Sequence, residues 1–372
     1  MMEINPLSTS ASSSIQTFID NKTKPVASLG KLETLAKQLA LIQYQRQGTS
    51  DLNLALLPKL SLAKPSVLIF AGDHGINEEN VSIAPSAVTR QMVLNFLQGG
   101  AAINCFCQVS NLKLAVIDCG IITPITESEA MLSKAEVEFI AQRIAAGTNN
   151  FSKQAAMSIA QVEQCLAYGK AIALRQIEQG SELLLLGEMG IGNTSSAAAI
   201  MSALTGLTVD VCVGRGTGIT DEQLSKKTSL IEQAIARIDI DLQQQPSAQV
   251  IYRIVSELGG FEIMQMVGAI LASASRQVAV VIDGFIVSVA ALIAQKLDKH
   301  VTDYLVFSHV SQEKAHALLL EHIVGKGRDV ALLDLQLRLG EGTGAVLCYQ
   351  LLLAAIAFYN DMASFDSAGV TV

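Results

Sequence analysis

The feature that most constrains this chain is a recurring unit: a short, mostly apolar run, a glycine-containing turn, then a segment with helical spacing. It begins with Ser66 to Ala71, which ends in Gly72-Asp73-His74-Gly75. It recurs at Leu114 to Ile117, Glu182 to Leu186, Val209 to Val213, Val278 to Ile282, Tyr304 to Phe307 and Leu332 to Leu339. Strands buried on both faces read as continuous apolar runs, so the pattern predicts an α/β fold with a mostly parallel sheet covered by helices on both faces. Helical spacing is expected over Leu32 to Arg46, Ser86 to Leu97, Ala101 to Val109, Ser195 to Leu204, Asp221 to Arg237, a stretch beginning near Phe261, and Ala345 to Phe358. Lys134 to Gln179 reads as a largely polar helical region, and Gln243 to Pro246 as a polar break. Residues 1–30 read as loosely ordered. The helical segments at the two chain ends fall outside the rhythm. They are expected to pack as a small helical domain (1–60 and 345–372) beside a large domain (61–344).

With 372 residues, 50% of them hydrophobic, the chain can bury a large core. A formal net charge of −8 argues against a general nucleic-acid binder, which needs a basic face. No membrane span is expected, because Val278 to Ala294 is broken by Asp283-Gly284 and Ala345 to Phe358 is short. Met1 to Lys24 lacks the basic and apolar regions of a signal peptide. The six cysteines form no CxxC pair and lie mostly in apolar runs, which predicts buried free thiols in a cytoplasmic protein.

In an open parallel sheet, ligands bind beyond the C-terminal ends of the strands. Two carboxylates are expected there. Glu341 stands between Gly340 and Gly342, where it either faces a ligand or steadies the next helix through its dipole. Glu188 stands in Gly187-Glu188-Met189-Gly190-Ile191-Gly192-Asn193-Thr194. In that loop Gly190 and Gly192 free the backbone, so the N–H groups of the following helix can cradle a phosphate; close helix–sheet packing is the alternative reading. Gly214-Arg215-Gly216-Thr217-Gly218 repeats the device, with Lys226 or Lys227 as a countercharge. Asp73-His74 reads as a polar turn rather than a metal site, since no second ligand lies at a matching spacing. His309 admits either role, while His300, His316 and His322 read as surface or packing residues. There is no Walker lysine, no dinucleotide fingerprint and no GxSxG elbow.

These segments, with Pro85-Ser86-Ala87-Val88-Thr89, Leu258-Gly259-Gly260-Phe261-Glu262, Asp283-Gly284-Phe285 and Arg338 to Gly344, occur in an order that resembles one family. It is the nicotinate-nucleotide–dimethylbenzimidazole phosphoribosyltransferases, and the resemblance runs from about residue 30 to 365. It implies a Rossmann-like catalytic domain, a homodimer, and no metal or tightly held cofactor. The implied reaction moves phosphoribose from nicotinate mononucleotide to 5,6-dimethylbenzimidazole, for cobalamin synthesis. By resemblance Glu341 is the catalytic base and Glu188 the second active-site carboxylate. Gly190, Gly192, Asn193, Thr194, Gly214, Gly216, Lys227 and Ser311 would hold the nucleotide, with Lys227 preferred to Lys226 from motif spacing. Gly340 and Gly342 flank the base. Ala84 and Met92 fall in the segment matching the benzimidazole slot, where some members carry polar residues.

Overall fold

The computed structural model describes residues 3–48, 59–216, 218–238 and 246–371. Among them, six strands make one parallel sheet: β1 (Ser66–Gly72), β2 (Lys113–Gly120), β3 (Val137–Ala141), β4 (Leu183–Met189), β5 (Ala279–Ile282) and β6 (Leu305–Phe307). Their spatial order, β3-β2-β1-β4-β5-β6, reverses direction between β1 and β4. That switch point opens a crevice at the strands' C-terminal ends. Register runs from Ser66 opposite Leu184 to Ala71 opposite Met189, so the turns after β1 and β4 emerge side by side.

Consecutive residues of a strand face opposite sides of the sheet. Val67, Leu68, Ile69 and Phe70 are all buried, as are Leu183 to Leu186, so both faces are covered. Helix Phe261–Ser275 lies against β1, β2, β4 and β5, and helix Ile159–Glu178 packs on it. Their backbones meet closely because Gly268 faces the Leu166 carbonyl and Gly169 faces the Gln265 carbonyl. Any larger residue would force the helices apart.

The two chain ends meet. Helix Lys31–Arg46 packs on helix Thr343–Asp361, and the Lys22 ammonium donates to the Met362 carbonyl at 2.8 Å. By length and composition Thr343–Asp361 could cross a bilayer, but it spends its apolar surface on Lys31–Arg46 and β4.

Several sequence expectations need correcting. Residues 1–30 are not uniformly loose: Ser12–Asp20 is helical, with Ala11, Ile15 and Ile19 buried at a spacing of one face. Val209 to Val213 is not a strand; Val209–Cys212 is a short helix after Thr208, because an apolar run this short carries no period of its own. Leu332 to Leu339 is no strand either. It makes one parallel bridge, Leu333 to His309, and leaves Leu335 and Leu339 exposed. The region Lys134 to Gln179 contains edge strand β3 ahead of its helix. Thr217 and Gln243 to Gln245 lie outside the described residues.

Candidate active site

The turn between Leu339 and the C-terminal helix is tightly wound. Gly340, Glu341 and Gly342 have φ of 80°, 63° and 75°, three left-handed residues in succession. Glycine adopts this without strain, but for Glu341 it costs roughly 1–2 kcal/mol. Neighbouring contacts hold it there. A side-chain carbon on Gly187 of β4 would stand 2.5 Å from the Gly342 Cα, so only glycine lets the strand and the turn meet. From the end of β5, Asp283 accepts the Gly342 N–H at 3.1 Å and the Ala345 N–H at 3.0 Å. The cap of helix Thr343–Asp361 is therefore Asp283. Glu341 is buried, yet its carboxylate accepts no hydrogen bond from the described residues.

Glu188 comes from β4 to the same place. Its Oε1 lies beside Gly340, where a side-chain carbon would stand 2.5 Å away, and its Oε2 accepts from the Asn193 amide. Burial pushes the Glu188 carboxyl up to about 8, helped by the negative charges of Asp283, Glu262 and Glu341 and opposed by the Asn193 bond. Burial raises Glu341 to about 7, with Asp283 adding to it. Two adjacent carboxyls both raised toward neutrality are suited to proton transfer. His309, on the chain leaving β6, places Nδ1 3.8 Å from Asp283 Oδ1. Sequence reasoning gives Asp283 no role of its own and leaves that of His309 open. The signal available was an Asp-Gly pair at a strand tip, which many turns share.

A second cluster lies at the start of helix Asn193–Thr205. The Lys227 ammonium donates to Thr194 Oγ1 at 3.0 Å and approaches the Gly214 carbonyl at 3.4 Å. Gly216 packs on Thr194. Lys226 points elsewhere, to the Glu79 carbonyl at 2.6 Å, so the geometry favours Lys227. Burial lowers Lys227 to about 8, while Glu313 works the other way. Gly214 and Gly216 also line a cavity of about 990 Å³, with Arg215, Glu313 and Arg338; Lys227 and Thr194 lie behind that wall and do not line it. Neither Glu188 nor Glu341 lines it; the wall stops at Arg338, in the segment leading to Glu341. Ser311 is next to this wall, its N–H donated to His316 Nδ1 at 2.8 Å and its hydroxyl to the Leu337 carbonyl at 3.3 Å.

Gly190 and Gly192 bind the loop to β1: the Gly72 carbonyl fills the space beside Gly190, and His74 Cβ that beside Gly192. Ile191 donates its N–H to Thr89 Oγ1 at 3.0 Å, tying the loop to helix Ala87–Leu97. Asp73 and His74 face apart, as alternation predicts. Asp73 accepts from the Ile122 N–H at 2.8 Å, and His74 Nε2 lies 2.6 Å from Glu262 Oε1 in a fully buried pair. Ala84 and Met92 are not brought against the carboxylates by any contact. Met92 packs against the core, and the Ala84 carbonyl accepts from Asn77 at 3.3 Å.

Known proteins share this sequence and fold. A family model described as "Phosphoribosyltransferase" matches residues 4–370. A protein of Vibrio vulnificus named nicotinate-nucleotide–dimethylbenzimidazole phosphoribosyltransferase is 52% identical over 358 residues, covering 96% of this chain and 97% of its own. One of the same name from Shewanella frigidimarina is 48% identical over 370 residues, covering 100% and 99%. Among solved structures, CobT from Thermus thermophilus superposes with a TM-score of 0.83 at 37% identity, covering 96% of this chain and 98% of its own.

Proposed function

The chain belongs to the nicotinate-nucleotide–dimethylbenzimidazole phosphoribosyltransferase family, and from that premise we propose that Glu341 is its catalytic base. The reaction transfers the phosphoribosyl group of nicotinate mononucleotide to 5,6-dimethylbenzimidazole, giving α-ribazole 5′-phosphate and nicotinate, in cobalamin biosynthesis.

One benzimidazole nitrogen attacks the anomeric carbon on the face opposite nicotinate. The bond from that carbon to nicotinate breaks, its electron pair passing to the pyridine nitrogen. The other benzimidazole nitrogen gives its proton to Glu341, and the β-riboside becomes an α-riboside. The observation that carries this reading is a buried Glu341 carboxylate with no hydrogen-bond donor among the described residues, raised to about 7. A group titrating near the working pH is well placed for proton transfer. Its anionic form also stabilises positive charge developing on the ribose. Glu188, its carboxyl raised by burial, is the second carboxylate facing the ribose. Lys227, Thr194, Ser311 and the Gly190–Gly192 and Gly214–Gly216 backbones hold the phosphate, and the segment with Ala84 and Met92 lines the slot for the benzimidazole. The packing of helices Lys31–Arg46 and Thr343–Asp361 supports a small domain of residues 1–60 and 345–372 beside a large one of 61–344. A cytoplasmic homodimer completes the proposal.

The test is to incubate the purified protein with nicotinate mononucleotide and dimethylbenzimidazole, separate the products by chromatography and assign the anomer by NMR. An α-ribotide plus free nicotinate is expected. A β-linked product would overturn the inverting displacement, and the absence of product with any azole or purine would remove Glu341 from catalysis.

A further inference from the structure

A carboxylate next to a helix N-terminus ordinarily becomes a weaker base. Unpaired N–H groups and the positive dipole end favour its ionised form. Glu341 directly precedes the N-cap of the 19-residue helix Thr343–Asp361, so its position alone would make it a poor proton acceptor. In this fold the N–H groups of Gly342 and Ala345 are occupied by the two oxygens of Asp283, which arrives from a different strand. Both Asp283 oxygens act as acceptors, the arrangement suited to its anion. Glu341 is left buried, turned back by its left-handed backbone, and without a donor among the described residues.

We propose that Asp283 is the positioning residue that makes Glu341 a base: it occupies the helix N–H groups that would otherwise acidify Glu341, and fixes the turn that presents it. Geometry supports both halves. Gly344 is packed so closely on His309 that no side chain fits, and a carbon there would stand 2.9 Å from Asp283 Oδ1. The first turn of the helix is thus pressed onto Asp283 and has little freedom to turn its N–H groups toward Glu341. The charged groups around Glu341 are Asp283 from β5 and Glu188 from β4, with His309 beside Asp283 and Glu262 acting on Glu188 from helix Phe261–Ser275. Asp283 adds to the burial that raises Glu341.

The inference rests on Glu341 being the base, and the test separates the two claims. Asp283→Asn keeps the shape and removes the charge. In this variant the acid limb of the kcat/KM profile should move to lower pH by about one unit, and the plateau should fall by roughly tenfold or more, since a less basic Glu341 is a poorer acceptor. The same substitution made in Glu341→Gln should change the residual rate by less than about twofold, the signature of residues acting through one another. An unmoved acid limb, or the full loss repeated in the Glu341→Gln background, would give Asp283 a purely structural role. If Glu341→Gln alone keeps the wild-type rate, the base assignment itself fails. Should Asp283→Asn not fold, carbon-13 carboxyl spectra of the wild-type protein decide, with the Glu341 signal identified by its loss in Glu341→Gln. A midpoint near neutrality supports the proposal, and one in the ordinary carboxylate range overturns it.

Discussion

Gly187 and Gly342 touch backbone to backbone: a side-chain carbon on Gly187 would stand 2.5 Å from the Gly342 Cα. Through this contact strand β4, which carries Glu188, is set against the turn that carries Glu341. Gly187→Ala should therefore push the turn outward. Overpacking at a buried site typically costs about 1–3 kcal/mol, so the protein should remain folded with a lower Tm. Activity should fall far more, because displacement of reacting groups by about 1 Å costs on the order of a hundredfold. Thermal unfolding and kcat measured on the same preparation check this; equal rates in variant and wild type would show that the contact does not set the Glu341 position.

Glu341→Gln should lower kcat by roughly a hundredfold or more, the usual effect of losing a general base. Circular dichroism should show the fold intact, since the side chain makes no hydrogen bond with the described residues.

The pH dependence follows from the sign of the Glu341 shift. The group accepts a proton, so it must be ionised, and its carboxyl is raised to about 7. In the free enzyme kcat/KM should fall about tenfold per unit below about 7. If protonated Glu188 is also required, a second limb should lower the rate above about 8. A profile flat down to pH 5 would contradict the raised Glu341.

Lys227→Ala should raise the KM for nicotinate mononucleotide by at least about tenfold, with a smaller effect on kcat, because charge-assisted bonds to phosphate contribute roughly 1.5–3 kcal/mol. Lys226→Ala should leave KM near its wild-type value. Because burial lowers Lys227 to about 8, wild-type nucleotide capture should weaken above that pH. A Lys227→Arg variant should lose that part of the pH dependence.

The buried pair of His74 and Glu262, 2.6 Å apart, is a stability element behind the loop. His74→Leu leaves the Glu262 carboxylate without its partner in the interior and should cost about 3 kcal/mol or more. Urea unfolding measures it. A double variant, His74→Leu with Glu262→Met, should recover most of the loss.

Local pattern went far here. Apolar runs bounded by glycine turns identified five of the six strands, β1, β2, β4, β5 and β6. It failed where a segment's neighbours decide its state. Edge strand β3 has the mixed burial of a helix face, and Leu332 to Leu339 is apolar enough for a strand but finds one bridging partner. In the site, Glu341 and Glu188 could be singled out because each sits in a glycine-rich turn, while Lys227 came from motif spacing within helix Asp221–Ala236.

Sequence alone determined that this chain forms a parallel α/β sheet, and that carboxylates and glycine loops stand at its strand ends. Both follow from interactions between near neighbours. Only the tertiary structure decided that Glu188 and Glu341, far apart in the chain, meet across Gly187 and Gly340. It alone decided that Asp283 rather than Glu341 caps the last long helix. Those choices depend on which backbones approach closely enough to exclude a side chain. They depend too on which buried N–H groups remain to be satisfied once the sheet order is set, and no local spacing records either.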